Sequence, residues 1–83
     1  MRYKIINVFT HDHEVKKERI GRIVSLINLE IDHSAVFAYE DGNTDNGFVT
    51  SVVDSFEHSY DKDHGHQLLI KTANSIYVLK EIQ

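Results

Sequence analysis

Histidines are the residues in this chain whose spacing could support chemistry. The 83 residues contain six histidines, and four of them form two His-x-His pairs, His11 with His13 and His64 with His66. On an extended chain such residues point to the same side, roughly 6.5–7 Å apart, which suits two imidazoles on one Zn²⁺ or Ni²⁺. Nearby carboxylates could supply a third ligand: Asp12, Asp61 and Asp63. Neither pair has a further ligand at the spacing of a known motif, so the alternative is ordinary histidines in polar loops. We therefore expect no cofactor, and a zinc ion is the alternative.

Nucleophilic catalysis finds less support than metal binding. Hydroxyl residues cluster between Thr50 and Ser59 near His58, but no strand–turn–helix signature surrounds a serine, and the chain has no cysteine. The glycine-rich loops that hold phosphates are also missing from the sequence. We therefore expect a protein that is not an enzyme, with no catalytic residues.

Acidic residues are distributed unevenly along the chain. The formal net charge is only −4, yet residues 23–61 contain no Lys or Arg and eight Asp or Glu. A surface of one charge sign attracts partners of the opposite sign and speeds their encounter. We take seven of these acids as candidate partner-binding residues: Glu30, Asp32, Glu40, Asp41, Asp45, Asp54 and Glu57. The alternative is a solvated acidic surface that keeps a small protein soluble. A pI near 5.8 argues against direct nucleic-acid binding.

Length and composition indicate one small β domain over residues 1–83. The chain has no Pro, four Gly and 41% hydrophobic residues, with many β-branched and aromatic side chains. No apolar run approaches the roughly 20 residues that a membrane helix needs, and the first residues do not resemble a secretion signal. We expect a cytoplasmic protein that does not bind membranes.

Alternating apolar and polar residues predict six short antiparallel strands, at 3–10, 19–31, 35–40, 48–56, 67–72 and 75–82. The second strand should bend or bulge near Gly21 or Ser25, with Ile23, Ile27, Leu29 and Ile31 on one face. That face would pack in the core or form a dimer seam. Loops are predicted at 41–47 and 59–65, and one helical turn near 12–18. Several strands carry apolar residues on both faces, which predicts an all-β, SH3-like closed barrel of five or six strands. An open sheet that dimerises through an edge is the alternative.

The last third of the chain resembles a known group of proteins. Thr50-Ser51-Val52-Val53, followed by the segment from Leu68 to Leu79, is similar to the closing hairpin of short uncharacterised β proteins from Gram-positive bacteria and their phages. The resemblance covers about 30 residues, and its Thr-x-Asn-Ser-x-Tyr-x-Leu pattern carries no chemistry. It implies a small acidic protein of a phage or mobile element, of the kind that inhibits host defence enzymes.

Taken together, these observations predict a non-enzymatic protein-binding module with an acidic face. Its partner would be the basic surface of a host protein, and the most specific version is an inhibitor of a nucleic-acid-binding defence enzyme, similar in kind to anti-CRISPR proteins. Two alternatives stay open. One is a metal-binding or small-ligand-binding module that uses the four paired histidines, and the other is a homo-oligomeric structural component, for instance a homodimer.

Overall fold

A computed structural model describes residues 2–10, 19–40, 47–63 and 65–82. These residues form six strands: β1 (Arg2–Thr10), β2 (Ile23–Asn28), β3 (Ser34–Tyr39), β4 (Gly47–Asp61), β5 (Gly65–Thr72) and β6 (Ser75–Ile82). The predicted helical turn near 12–18 and most of the predicted loop at 41–47 lie outside the described residues. No helix in the described part of the chain is long and apolar enough to cross a membrane.

Pairing between the first and last strands closes the sheet. Each strand pairs antiparallel with the next one in sequence, and β6 returns to β1 with Arg2 opposite Ile82. The closed barrel of six antiparallel strands confirms the predicted all-β fold class. Closure was predictable because apolar residues on both faces of several strands must be covered, and a closed sheet also leaves fewer exposed edges.

The hydrophobic core lies inside the barrel, and all six strands contribute buried side chains to it. In β5 and β6 the inward positions alternate regularly, as the two-residue period of a strand requires. In β1 a register shift between Ile5 and Asn7 separates the buried Ile5 from the next buried residue, Val8, by three positions. The buried hydrophobic residues are Tyr3, Ile5, Val8, Val24, Ala35, Phe37, Val53, Leu68, Ile70, Tyr77 and Leu79. Aromatic rings occupy much of the centre, with Phe37 stacked on Phe48 at a centroid distance of 5.0 Å.

The prediction of a long second strand over 19–31 was wrong. β2 starts only at Ile23, because Gly21 adopts a left-handed conformation (φ 86°) and its N–H donates to the Ile5 carbonyl at 2.7 Å. The bulge lies at Ile27, where the register with β3 shifts between Leu26 and Asn28. The face predicted for the core is the exposed one, because Val24 on the other face is fully buried whereas Ile27 is 63% exposed. Ile31, predicted on the same face as Ile27, is also exposed.

The prediction that the fourth strand ends at Phe56 was also wrong. β4 continues to Asp61, and every residue from Asp54 to Asp61 is exposed. It is held by a ladder with β5 that runs from Val53 opposite Thr72 to Asp61 opposite Gly65. The polar residues from Ser59 to Gly65 suggested a hairpin loop, but Ser59–Asp61 belong to β4 and Gly65 begins β5. Strand pairing on one edge is compatible with polar side chains.

Candidate protein-binding face

Four aliphatic side chains lie together on the outer surface of β2, β3 and the first half of β4. Val36 and Val49 are directly opposite each other on neighbouring strands. Ile27 and Val49 are 63% and 60% exposed, and Val52 is 44% exposed. We call Ile27, Val36, Val49 and Val52 the aliphatic face. Contiguous exposed apolar side chains are characteristic of interaction surfaces in soluble proteins.

A hydrogen-bonded irregularity in β4 turns two valines outward. Opposite β3, the register shifts between Ser34 and Val36, so that Val49 and Val52 are three residues apart yet both exposed. Thr50 lies between them and is buried. Its hydroxyl accepts a hydrogen bond from the Ala35 N–H at 3.0 Å and donates one to the Ser51 carbonyl at 2.7 Å. The buried threonine thereby satisfies backbone groups that the bulge removes from the ladder.

Three of the predicted acidic residues lie at one end of this face. The Asp32 N–H donates to the Val53 carbonyl at 2.9 Å, and the Val53 N–H donates to the His33 carbonyl at 3.0 Å. These bonds hold the turn between β2 and β3 against β4, which places Glu30 and Asp32 beside the strand segment that carries Asp54. The Glu30 carboxylate is 3.7 Å from the exposed imidazole of His33.

Glu40 lies at the opposite end of β3. The six residues of β3 span about 20 Å, so this carboxylate is well separated from Asp32. It accepts hydrogen bonds from the Arg2 Nε at 3.1 Å and from the Ser25 hydroxyl at 2.5 Å. Its charge is therefore partly balanced within the chain.

The remaining acids do not complete a single surface within the described residues. Glu57 lies opposite Leu69 on the second half of β4, away from the aliphatic face. Asp41 and Asp45 lie outside the described residues. The five described acidic residues thus divide into a group beside the turn between β2 and β3, a Glu40 paired with Arg2, and a Glu57 that lies apart from both. Sequence reasoning did not identify the aliphatic face, although Val49 and Val52 in an acidic segment were a signal for it.

Only one of the four candidate metal-binding histidines lies in the described part of the chain. His66 pairs across strands with Tyr60, and its Nδ1 is 3.3 Å from a carboxylate oxygen of Glu81. His11, His13 and His64 lie outside the described residues. Within the residues that are described, no three His, Asp or Glu side chains are grouped closely enough to hold a metal ion. The histidine metal site stays a prediction.

Two arginines lie over aromatic rings that pack against the core. The Arg19 guanidinium lies 4.4 Å from the centre of the Phe48 ring, and Arg22 lies 3.8 Å from the centre of the Tyr39 ring. Arg19 also donates a 2.6 Å hydrogen bond to the Tyr77 hydroxyl. Burial raises the pKa of Tyr77, and the positive charge of Arg19 opposes that increase. Both arginines therefore contribute to packing.

A shallow depression of about 150 Å³ lies on the second half of β4 and on β5. Its lining residues include Ser55, Glu57 and Lys71. A serine and a lysine are present, but the lining has no histidine to activate the hydroxyl. The geometry of this depression gives no argument for catalysis.

The architecture and the exposed face together define a small barrel with an aliphatic, acid-bordered outer surface. Comparisons with protein-family models, with curated proteins and with solved structures give no match for this chain.

Proposed function

We propose that the protein is a non-enzymatic binding module that recognises a basic protein surface through its aliphatic face. The observation that carries this proposal is the exposure of Ile27, Val49 and Val52 next to acidic residues in a segment without Lys or Arg. Burying exposed apolar area provides most of the free energy of a typical protein contact. The acidic residues at the border would then determine orientation and favour a basic partner.

Two features favour a partner that itself binds nucleic acid. The cation-free segment from residue 23 to residue 61 repels phosphate groups, yet it complements the basic channels in which phosphate groups bind. The resemblance of the last third to small phage proteins points in the same direction. The most specific form of the proposal is an inhibitor that occupies such a channel in a host defence enzyme.

The division of the acids suggests which residues carry the electrostatic contribution. Glu30, Asp32 and Asp54 border one end of the aliphatic face, whereas Glu40 is already paired with Arg2. We therefore expect neutralisation of the first three residues to weaken binding more than neutralisation of Glu40. Asp32 has a positive φ of 68°, so Asn is the appropriate replacement because it tolerates this conformation.

The experiment compares capture of proteins from nuclease-treated lysate by wild type, by Val49→Asp and by the triple variant Glu30→Gln, Asp32→Asn and Asp54→Asn. Each captured candidate is then purified and its affinity measured at increasing salt concentration. We expect both variants to bind more weakly, and wild-type affinity to fall as salt screens the acidic border. Ile6→Asp is the matched control, because Ile6 is an exposed aliphatic residue on β1, outside the aliphatic face.

A second control distinguishes the acidic border from net charge. Neutralising Lys4, Lys71 and Lys80, which lie on β1, β5 and β6, changes the net charge without touching the aliphatic face. This variant should retain binding. Equal affinities of wild type, Val49→Asp and the triple acidic variant for the same partner would refute the proposed site.

A further inference from the structure

The second half of β4 has a partner strand on only one side. On the β3 side, the ladder ends where Ser34 lies opposite Val52, and the last backbone bonds join Val53 to Asp32 and His33. Beyond that point β4 pairs with β5 alone, and no other strand among the described residues pairs with this edge. We call residues 55–60 the open edge. An exposed edge of this length is a template for pairing with another strand.

We propose that the open edge pairs with the open edge of a second copy of this chain, antiparallel and across a twofold axis. This interface lies beyond the aliphatic face and shares only Asp54 with its acidic border, so the inference goes beyond the proposed function. Lys62→Asp changes the dimer interface alone, whereas Val49→Asp changes the aliphatic face alone. It joins two barrels into one continuous sheet through β4. Isologous pairing of this kind satisfies the unpaired backbone groups of both edges at once.

Symmetry restricts the register of such a pair. A twofold axis that relates two antiparallel edges stands perpendicular to the sheet, so each residue faces a residue from the same side of the sheet. Phe56, His58 and Tyr60 share one side, because they lie opposite Ile70, Leu68 and His66 of β5. Glu57 and Ser59 share the other side. Only registers that pair like with like are allowed.

The turn between β2 and β3 excludes every register in which the partner's β4 would extend alongside Val53. The backbone of Asp32 and His33 already occupies the position beside Val53. The partner's β4 must therefore end before it reaches this Val53. The partner residue that lies level with Val53 then belongs to the turn after the partner's Asp61. The register centred on His58 meets this condition. The register centred on Phe56 does not, because it would place the partner's Ser59 in the occupied position.

Charge selects among the registers near His58. With His58 on the axis, Phe56 faces the partner's Tyr60, and Asp54 lies level with the partner's Lys62, the first residue after β4. Both pairings occur twice in the dimer, and aromatic and opposite-charge pairs are favourable across strands. A register centred on Glu57 places two glutamates together, and one centred on Ser59 places Glu57 against the partner's Asp61. Like charges directly opposite are unfavourable, so the register centred on His58 is the one that the sequence supports.

Single cysteines test this register, because the wild-type chain contains no cysteine. Under mild oxidation, His58→Cys should form a covalent dimer since its two copies face each other across the axis. Glu57→Cys and Ser59→Cys are matched controls in the two neighbouring registers. Their symmetry mates would lie about 8 Å apart between Cα atoms, beyond the range of a disulfide. Efficient cross-linking of either control, or none of His58→Cys, would overturn the proposed register.

Charge reversal tests the pairing without a covalent bond. Asp54→Lys and Lys62→Asp should each weaken the dimer about tenfold, because each replaces two attractive pairs with two repulsive ones. The double variant should restore the wild-type dissociation constant. Sedimentation velocity across a concentration series gives these values. A wild type that stays monomeric at high concentration refutes self-association and leaves the edge to a strand of another protein.

Discussion

The Arg19 guanidinium and the Tyr77 hydroxyl form a 2.6 Å hydrogen bond between residues that are 58 positions apart in sequence. Arg19 precedes β2, and Tyr77 is a buried residue of β6. The same guanidinium packs over the ring of Phe48 in β4. One side chain therefore connects three separate parts of the barrel, and its contribution to stability can be measured directly.

Replacing Arg19 with Ala should lower the free energy of unfolding by about 1–3 kcal/mol, since it removes a hydrogen bond from a charged donor and a cation–π contact. Tyr77→Phe removes the hydrogen bond but keeps the ring. Denaturant unfolding of both single variants and the double variant gives their coupling. Arg2→Ala is the control, because its ion pair with Glu40 is largely solvated and should contribute at most about 1 kcal/mol. Additive effects of Arg19→Ala and Tyr77→Phe would contradict a direct interaction.

Alkaline pH should destabilise the barrel through its buried phenols. Burial raises the pKa of Tyr77 and of Tyr3 above the ordinary value of 10.0, so the folded state holds these protons more tightly than the unfolded state. Their stabilisation is fully present below pH 10 and declines as pH rises from there through the folded-state pKa values. Thermal melting at increasing pH measures the decline. Tyr77→Phe should flatten this decline, whereas Ser59→Ala, which removes no titratable group, should leave the wild-type slope.

Gly47 marks a position where two strands approach too closely for a side chain. A Cβ at this position would collide with the backbone carbonyl oxygen of Phe37 in β3. We expect Gly47→Ala to lower the free energy of unfolding by about 1–3 kcal/mol, because the strands must separate to admit the methyl group. Gly65→Asn is a suitable control since that site has open space around it and Asn tolerates its positive φ. Equal stability of Gly47→Ala and wild type, measured by urea unfolding, would show that the strands adjust freely.

A buried hydroxyl organises the turn between β5 and β6. The Thr72 Oγ1 accepts hydrogen bonds from the Ser51 hydroxyl at 2.8 Å and the Ser75 N–H at 3.0 Å. Thr72→Val keeps the shape of the side chain but leaves these donors without their acceptor, and should cost about 1–3 kcal/mol. Hydrogen exchange at the Ser75 amide should accelerate in parallel. Ser59→Ala on the exposed part of β4 is the control and should stay within about 0.5 kcal/mol of wild type.

The sequence allowed the fold class and four of the six strands to be predicted closely. Those strands, such as β6, combine regular alternation with clear turn signals, so local pattern and tertiary position agree. β2 and β4 were misjudged because their limits depend on distant backbone contacts. Gly21, just before β2, donates its N–H to the Ile5 carbonyl of β1. The polar end of β4 is a strand only because β5 pairs with it.

The candidate site was only partly predictable for a related reason. Counting acidic residues identified the unusual segment but could not show that Glu40 is paired with Arg2 of β1. Nor could alternation alone place Val49 and Val52 on the same surface, since the irregularity at Thr50 changes the period between them. Bulges shift side chains from one face to the other, and a single sequence carries little information about where they occur.

The pairing of Arg2 with Ile82 has a consequence for how the chain folds. Five of the six ladders join consecutive strands, whereas the ladder between β1 and β6 is the one that requires the two most distant segments to meet. Loop-closure entropy makes this ladder the slowest to form, so the folding rate should depend on it most strongly. Because the two residues are direct neighbours, a short linker could join them, with new ends opened at Ala73-Asn74. Such a circular permutant would convert this ladder into a local hairpin and make the ladder between β5 and β6 the most distant one. The slow step of folding should therefore move from the pairing of β1 with β6 to the pairing of β5 with β6.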